Sequence, residues 1–329
     1  MRPVRLELGL IGATGIAERT VVAPSRAVPG VSPVAVAASD PDRAAAFAER
    51  HGLRRAHRDY AALVEDPEVG AVYVSLHNSA HHRWASAAAR AGKHVLVEKP
   101  LCLTAAEAAD LAAAAAEGGV HVVEAVPTAG HAWQREVRAA VLDHRWGPLR
   151  AVRTRIRFAP PAPGGFRLRP DLGGGVFRDS ACYWTQAVQA TAGLAGAHGG
   201  GKAVRDVPGG VDVGFAAHLD LPGGVRAELD CAFGDRHVAE HEFRFDQALV
   251  RVRGFLRPIA GALPLNLTVR HADGRSRVRS FPPVSYYDRQ LRRFHALVAD
   301  GVGPGGELAA AAERVRLMEQ IHDDAEEAG

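Results

Sequence analysis

Between residues 5 and 126 short apolar runs alternate with alanine-rich stretches of helical composition, and no other feature narrows the possible folds as far. Residues 5–11, 34–38, 71–76, 94–97 and 120–126 read as strands. Strands that are apolar throughout must be buried on both faces, and helices between them cover those faces. The pattern therefore predicts an α/β fold with a doubly wound parallel sheet. The helices carry their own punctuation. Asp40-Pro41 opens one that closes near Gly52, and Thr104 with Glu107 forms a capping box before another ending at Gly118.

Beyond about residue 126 the period changes to two. Val152, Thr154, Ile156 and Phe158 face one way, and Arg153, Arg155 and Arg157 face the other. Such alternation means a half-exposed strand. It recurs over residues 211–219 and 225–233, and Ala272-Asp273-Gly274 reads as a hairpin turn. The expectation is a second domain built on a large antiparallel or mixed open sheet with helices on one face. Residues 159–165, rich in proline, and residues 193–201, with five glycines, read as loops. Amphipathic segments around Tyr287, Leu291, Phe294 and Leu297 and over residues 307–321 close the chain. The domains are placed at 1–123 and 124–329.

A length of 329 residues, 47% of them hydrophobic, supplies a core for each domain. The 40 basic residues exceed the 37 acidic ones too narrowly to indicate a nucleic-acid binder. Cys102, Cys182 and Cys231 fit neither a zinc spacing nor a disulfide framework, which points to a reducing cytoplasm and to no metal. No run reaches the roughly 18 apolar residues of a membrane span, and the apolar stretch at the N-terminus is shorter than a signal-peptide core.

The first strand ends in Gly9-Leu-Ile-Gly12-Ala-Thr-Gly15-Ile-Ala17. A dinucleotide fold needs small residues here, so that backbone can approach a pyrophosphate resting on the next helix. Gly12, Gly15 and Ala17 satisfy that requirement. Thr14 stands where the usual pattern has its middle glycine, placing a Cβ near the pyrophosphate and a hydroxyl within reach of it. Asp40, at the end of the second strand, has two readings that stay open. It either accepts from the adenosine ribose and favours NAD, or caps the helix that Pro41 begins and leaves Arg43 to serve NADP.

Carbonyl reduction requires a hydride donor and an acid for the developing alkoxide. Lys99, in Glu98-Lys99-Pro100 after the strand at 94–97, is the candidate acid. An ordinary lysine titrates near 10.4, so acting at about 7 to 8 means destabilising the ammonium by about 4 kcal/mol, which burial beside an oxidised nicotinamide supplies. A second cluster runs from Gly173 to Trp184. Its Asp179 and Tyr183 are four apart, so a helix would put both on one face. They either bind a substrate hydroxyl and relay a proton or belong to a packed helix. His131 either lines the substrate pocket or is structural, and the three arginines on the 152–158 strand fit an anionic substrate tail or a subunit interface.

These residues resemble the glucose-fructose oxidoreductase, inositol dehydrogenase and rhizopine catabolism group, Gfo/Idh/MocA, over essentially the whole chain. The resemblance is carried by the turn at Gly12 to Ala17, the loop Leu76-His77-Asn78-Ser79-Ala80-His81, the segment Ala91 to Pro100, and Leu172 to Tyr183. It implies a Rossmann domain, a C-terminal α/β domain whose open sheet mediates a homodimer or homotetramer, and NAD or NADP bound between the two. It assigns Lys99, Tyr183 and Asp179 to catalysis. Together with the residue readings above, which supply Thr14, Asp40 and His131, the candidates are Gly12, Thr14, Gly15, Ile16, Ala17, Asp40, His77, Asn78, His81, Glu98 and Lys99 for the cofactor, and Lys99, His131, Asp179 and Tyr183 for the substrate. Thr14, Ala181 and Gln186 depart from the family pattern, the last making a polyol dehydrogenase less expected. Tyr183 and Phe158-Ala-Pro-Pro161 are more similar to the sugar 3-ketoreductases of deoxysugar biosynthesis.

The expected activity is hydride transfer between nicotinamide and a keto or hydroxyl carbon of a sugar-like small molecule, possible substrates including nucleotide-linked keto sugars. Two alternatives share the fold: an imine reductase of a natural-product pathway and a non-catalytic cofactor-binding regulator.

Overall fold

A computed structural model describes residues 5–234, 236–300 and 306–327. Its first unit contains β1 (Leu6–Ile11), a continuous helical run formed by α1 (Gly15–Ala17), a π turn (Glu18–Val22) and α2 (Ala23–Ser25), then β2 (Val31–Ala37), α3 (Pro41–His51), β3 (Arg55–His57), α4 (Tyr60–Val64), β4 (Ala71–Val74), α5 (His81–Arg90), β5 (His94–Glu98), α6 (Ala105–Gly118) and β6 (Val122–Ala125). The six strands lie in the order β3-β2-β1-β4-β5-β6, all parallel.

Both faces of that sheet are buried, as apolar strands require. Val72, Val74, Val95 and Val97 pack with Leu63, Ala88, Leu111 and Ala115 on one side. Their strand neighbours Tyr73 and Leu96 turn to the other, against Val21, Phe47, Leu291 and Phe294. Period two along each strand thus feeds two separate helical layers. The helix ends follow the sequence signals. Asp40 caps α3 and Gly52 stops it in the left-handed region, and Thr104 with Glu107 forms the capping box of α6. The strand β3 has no signal of its own in the sequence, being three residues long and polar.

The second unit holds α7 (Ala132–Leu142), β7 (Leu149–Phe158), α8 (Val176–Thr191), β8 (His198–Arg205), β9 (Asp212–Leu221), β10 (Val225–Phe233), β11 (Val238–Phe245), β12 (Ala248–Arg253), β13 (Leu263–His271) and β14 (Ser276–Val284). Its eight strands run β14-β13-β12-β11-β7-β10-β9-β8, antiparallel except for β7 with β10. Val152, Thr154 and Ile156 are buried, while Arg153 and Arg155 are exposed, as the alternation predicts. The helices α9 (Tyr286–Ala299) and α10 (Gly306–Glu327) complete the described chain.

One expectation needs amendment. The glycine-rich stretch 193–201 is not all loop, because Gly199, Gly200 and Gly201 lie within β8. A Cβ on Gly199 would come within 1.9 Å of the His218 carbonyl oxygen, and one on Gly201 within 2.4 Å of the Phe215 ring. These glycines mark close packing inside a sheet. Each of the two compact units is built from two segments of the chain. One comprises Met1–Pro127 with Tyr287–Val315, the other Thr128–Tyr286 with Arg316–Gly329. Leu291 and Phe294 of α9, and Leu308 and Ala311 of α10, belong to the cores beside the parallel sheet. Their amphipathic pattern is visible in the sequence, but which sheet receives them is not.

Candidate active site

The strand order of the first unit reverses between β1 and β4, where open α/β sheets bind ligands beyond the strand ends. The glycine turn sits there. Gly12 has φ +114, and a Cβ on it would lie 2.7 Å from the Ser75 carbonyl oxygen, so only glycine serves. No atom lies within 4 Å of where a Cβ on Gly15 would project. Ile16 is half-buried and Ala17 fully buried behind it. Gly15 is exposed, so a ligand can approach the backbone closely at the start of the helical run, which fits a pyrophosphate. Thr14 Oγ1 accepts from Ala17 N at 3.1 Å and stands 2.9 Å from Ser75 Oγ. The departure from glycine is thus a helix cap tied to the end of β4.

Asp40 accepts from Asp42 N at 2.9 Å through Oδ1, which is the capping geometry. Arg43 Nη2 reaches the Ala13 carbonyl at 3.4 Å, placing a guanidinium beside the turn. Next to it, burial raises the Tyr60 phenol above its ordinary value, with a Ser39 hydrogen bond and the Arg43 charge opposing.

Glu98 ends β5 among tyrosines. Tyr73, wholly buried, donates its hydroxyl to Glu98 Oε1 at 2.5 Å, and Lys99 N donates to Oε2 at 3.3 Å. Burial, and then the Glu98 charge, push the Tyr73 phenol well above its ordinary range and that of Tyr287 up to about 12. A carboxylate flanked by two neutral phenols thus precedes Lys99, and the Lys99–Pro100 peptide is cis. Tyr73 and Tyr287 were missed in the sequence. The available signal for Tyr73 was a phenol inside the apolar strand Ala-Val-Tyr-Val, whose polar tip needs a buried partner.

His81 is buried, with Nδ1 2.7 Å from the Pro100 carbonyl and Nε2 3.2 Å from that of Leu76. Burial lowers its pKa, so the neutral ring donates one proton, and the shorter separation assigns it to Nδ1. Both ring nitrogens face backbone, and His81 secures the loop that carries Lys99. His77 Nδ1 lies 3.0 Å from Ser79 Oγ, and Asn78 is buried at the start of a short 3-10 turn.

In the second unit, α8 carries Asp179 and Tyr183 one turn apart, both buried. Arg167, from the loop before it, donates Nε to Asp179 Oδ2 at 2.9 Å, a partner the sequence did not single out. The helix is anchored at its start, where Phe177 N donates to Asp212 Oδ2. Gln186, one turn beyond Tyr183, accepts from Gln134 Nε2 at 2.8 Å. His131 is buried, caps α7 by accepting from Trp133 N at 3.2 Å, and meets Phe281 and Tyr286 edge-on at 5.5 Å. These contacts give it a structural task whatever else it touches. Among the described residues no group of histidine, cysteine or acidic side chains could hold a metal ion, and no helix is long and apolar enough to cross a membrane.

Comparison with known proteins identifies both parts of the chain. Residues 6–125 match the family model described as the GFO/IDH/MocA oxidoreductase family, NAD-binding Rossmann fold, and residues 134–247 match the GFO/IDH/MocA C-terminal domain. The dTDP-3,4-didehydro-2,6-dideoxy-alpha-D-glucose 3-reductase of Streptomyces antibioticus is 33% identical over 91% of this chain and 90% of its own length. The 1,5-anhydro-D-fructose reductase of Ensifer adhaerens is 32% identical over 88% and 87%. Among solved structures, a 3-ketoreductase from Actinomadura kijaniata in complex with NADP and TDP-benzene superposes with a TM-score of 0.89, at 27% identity and 98% coverage of both chains.

Proposed function

Since the chain belongs to the Gfo/Idh/MocA family of NAD(P)-dependent oxidoreductases, we propose that it interconverts the keto and hydroxyl forms of a nucleotide-linked sugar. The observation that carries this reading is the lysine loop. Lys99 leaves a buried strand between a carboxylate held by Tyr73 and a peptide held by His81, in a unit whose glycine turn is open for a dinucleotide. The relatives from Streptomyces antibioticus and Ensifer adhaerens are both named as reductases of sugars, which favours a carbonyl over an imine.

When bound, the reduced dinucleotide supplies the hydride. The turn at Gly12 and the N–H groups of Gly15 and Ile16 would hold its pyrophosphate. With Asp40 engaged as a cap, Arg43 is the charged group beside the turn, and a guanidinium favours a 2′-phosphate. This points to NADPH over NADH. Lys99 gives a proton to the carbonyl oxygen as the carbon is reduced; Tyr183, one turn from Asp179 on α8, is the second unit's candidate proton donor. Asp179, held by Arg167, accepts a hydrogen bond from a neighbouring sugar hydroxyl. The test is oxidation of NADPH with a dTDP-linked 3-keto sugar, the free keto sugar and a cyclic imine in parallel. Faster turnover of the nucleotide-linked compound supports the reading, and a preference for the imine overturns it.

A second copy of the chain is read as covering the polar face of the eight-stranded sheet. That face is laced with cross-strand pairs, Arg153 with Glu228, Arg157 with Asp230, and Arg251 with Glu242, and arginine is enriched at interfaces. Light scattering at low and high salt tests it, and a monomer under both conditions rejects it.

A further inference from the structure

The peptide between Pro100 and Leu101, immediately after Lys99, is gripped from both sides by buried side chains. Its carbonyl oxygen lies 2.7 Å from His81 Nδ1, and its N–H donates to Glu124 Oε1 at 2.9 Å. The second Glu124 oxygen, Oε2, accepts from Arg314 Nη2 at 2.5 Å, from a residue 190 positions further along the chain, on α10. Glu124 stands on β6 opposite Val97 of β5, so its backbone is fixed by the sheet. Only 3% of its side chain and 9% of that of Arg314 are exposed.

A buried ion pair is a poor device for stability alone, because apolar side chains of the same volume commonly do as well. Its geometry here does something an apolar pair would not. Arg314 holds one carboxylate oxygen and thereby aims the other at the Leu101 amide.

We propose that Arg314 and Glu124 are positioning residues for Lys99, acting through the Pro100–Leu101 peptide. Upstream of the lysine, Glu98 is held by the Tyr73 hydroxyl, and downstream the next peptide is held by His81 and Glu124. Lys99 is fixed at both flanks. Freeing the downstream flank displaces the ammonium, and a displacement of about 1 Å costs on the order of 100-fold in rate. The proposal rests on the reading of Lys99 as the acid.

The test pairs Glu124→Leu with Arg314→Met, so that no lone charge is left buried. The double variant is expected to keep its melting temperature within a few degrees and its Kd for NADPH within about threefold. Its kcat should fall about 10- to 100-fold with KM nearly unchanged. Wild-type kcat in a folded double variant overturns the tether. Should that variant not fold, Arg314→Lys is read by hydrogen exchange at the Leu101 amide. Faster exchange with a reduced kcat supports the proposal, and wild-type values of both reject it. Lys99→Ala is measured alongside. If it leaves turnover intact, the reading of Lys99 fails and the tether with it; if it abolishes turnover while the double variant keeps its kcat, the tether alone fails.

Discussion

Phe177 donates its backbone N–H to Oδ2 of Asp212 at 2.6 Å, across 35 residues of sequence, and so ties the first turn of α8 to the start of β9. A Cβ on Gly175 would come within 2.1 Å of Asp212 Oδ1, so the glycine before the helix is what admits the carboxyl group. The helix that presents Asp179 and Tyr183 is therefore anchored by a residue outside every recognisable motif.

Burial pushes the Asp212 carboxyl up to about 6 from an ordinary value of 3.8. Its folded-state value lies above the unfolded one, so its contribution to stability is fully present below about 4 and is lost as pH rises through about 6. The loss amounts to about 3 kcal/mol. Asp212→Asn keeps the acceptor for Phe177 and removes the ionisation. The variant should match the wild type near pH 4, melt progressively higher than it from pH 4 to about 6.5, and keep a constant advantage above that. A melting-temperature difference that stays flat from pH 4 to about 6.5 would contradict the assignment.

Lys99→Ala should lower kcat by about 10²- to 10⁴-fold, the usual contribution of a positioned acid, with little change in dinucleotide affinity. Tyr183→Phe removes one hydroxyl and keeps the ring that packs near Phe255. It should lower kcat with no large change in thermal stability. Steady-state kinetics with fluorescence titration and thermal melts separate these effects, and wild-type turnover in both variants would sink the proposed chemistry.

Thr14 caps the helical run after the glycine turn and contacts Ser75. Thr14→Ala should cost about 1 kcal/mol of stability, and Thr14→Gly only a few tenths from the cap. Neither should raise the Kd for NADPH by more than about threefold, since the cap geometry turns the hydroxyl toward its own helix. A large gain in affinity on Thr14→Gly would show instead that the side chain obstructs the pyrophosphate.

Arg43 approaches the Ala13 carbonyl, while Asp40 is engaged with Asp42 N. Arg43→Ala should weaken NADPH binding about tenfold, through loss of a charge-assisted contact, and leave NADH binding unchanged. Equal weakening of both would assign Arg43 to the turn itself.

The sequence by itself determined the parallel sheet, the ends of α3 and α6, the glycine turn, the Lys99 loop and the shared face of Asp179 and Tyr183. Each of these is written in local terms: a period of two or 3.6, a capping residue, a proline or glycine at a fixed offset. Asp40 shows where local terms run out, since the same Asp-Pro pair suits a ribose partner or a cap, and the capping hydrogen bond to Asp42 N engages only Oδ1. Only the tertiary structure decided that Gly199 to Gly201 pack within a strand, that α9 and the start of α10 return to the first unit, and that His81 turns both ring nitrogens onto backbone. It alone joined Tyr73 to Glu98, Phe177 to Asp212 and Leu101 to Glu124 and Arg314. The physical reason is common to all of them. A buried donor or acceptor must find a partner, and where the chain supplies it from a distant segment, no spacing in the sequence records the match.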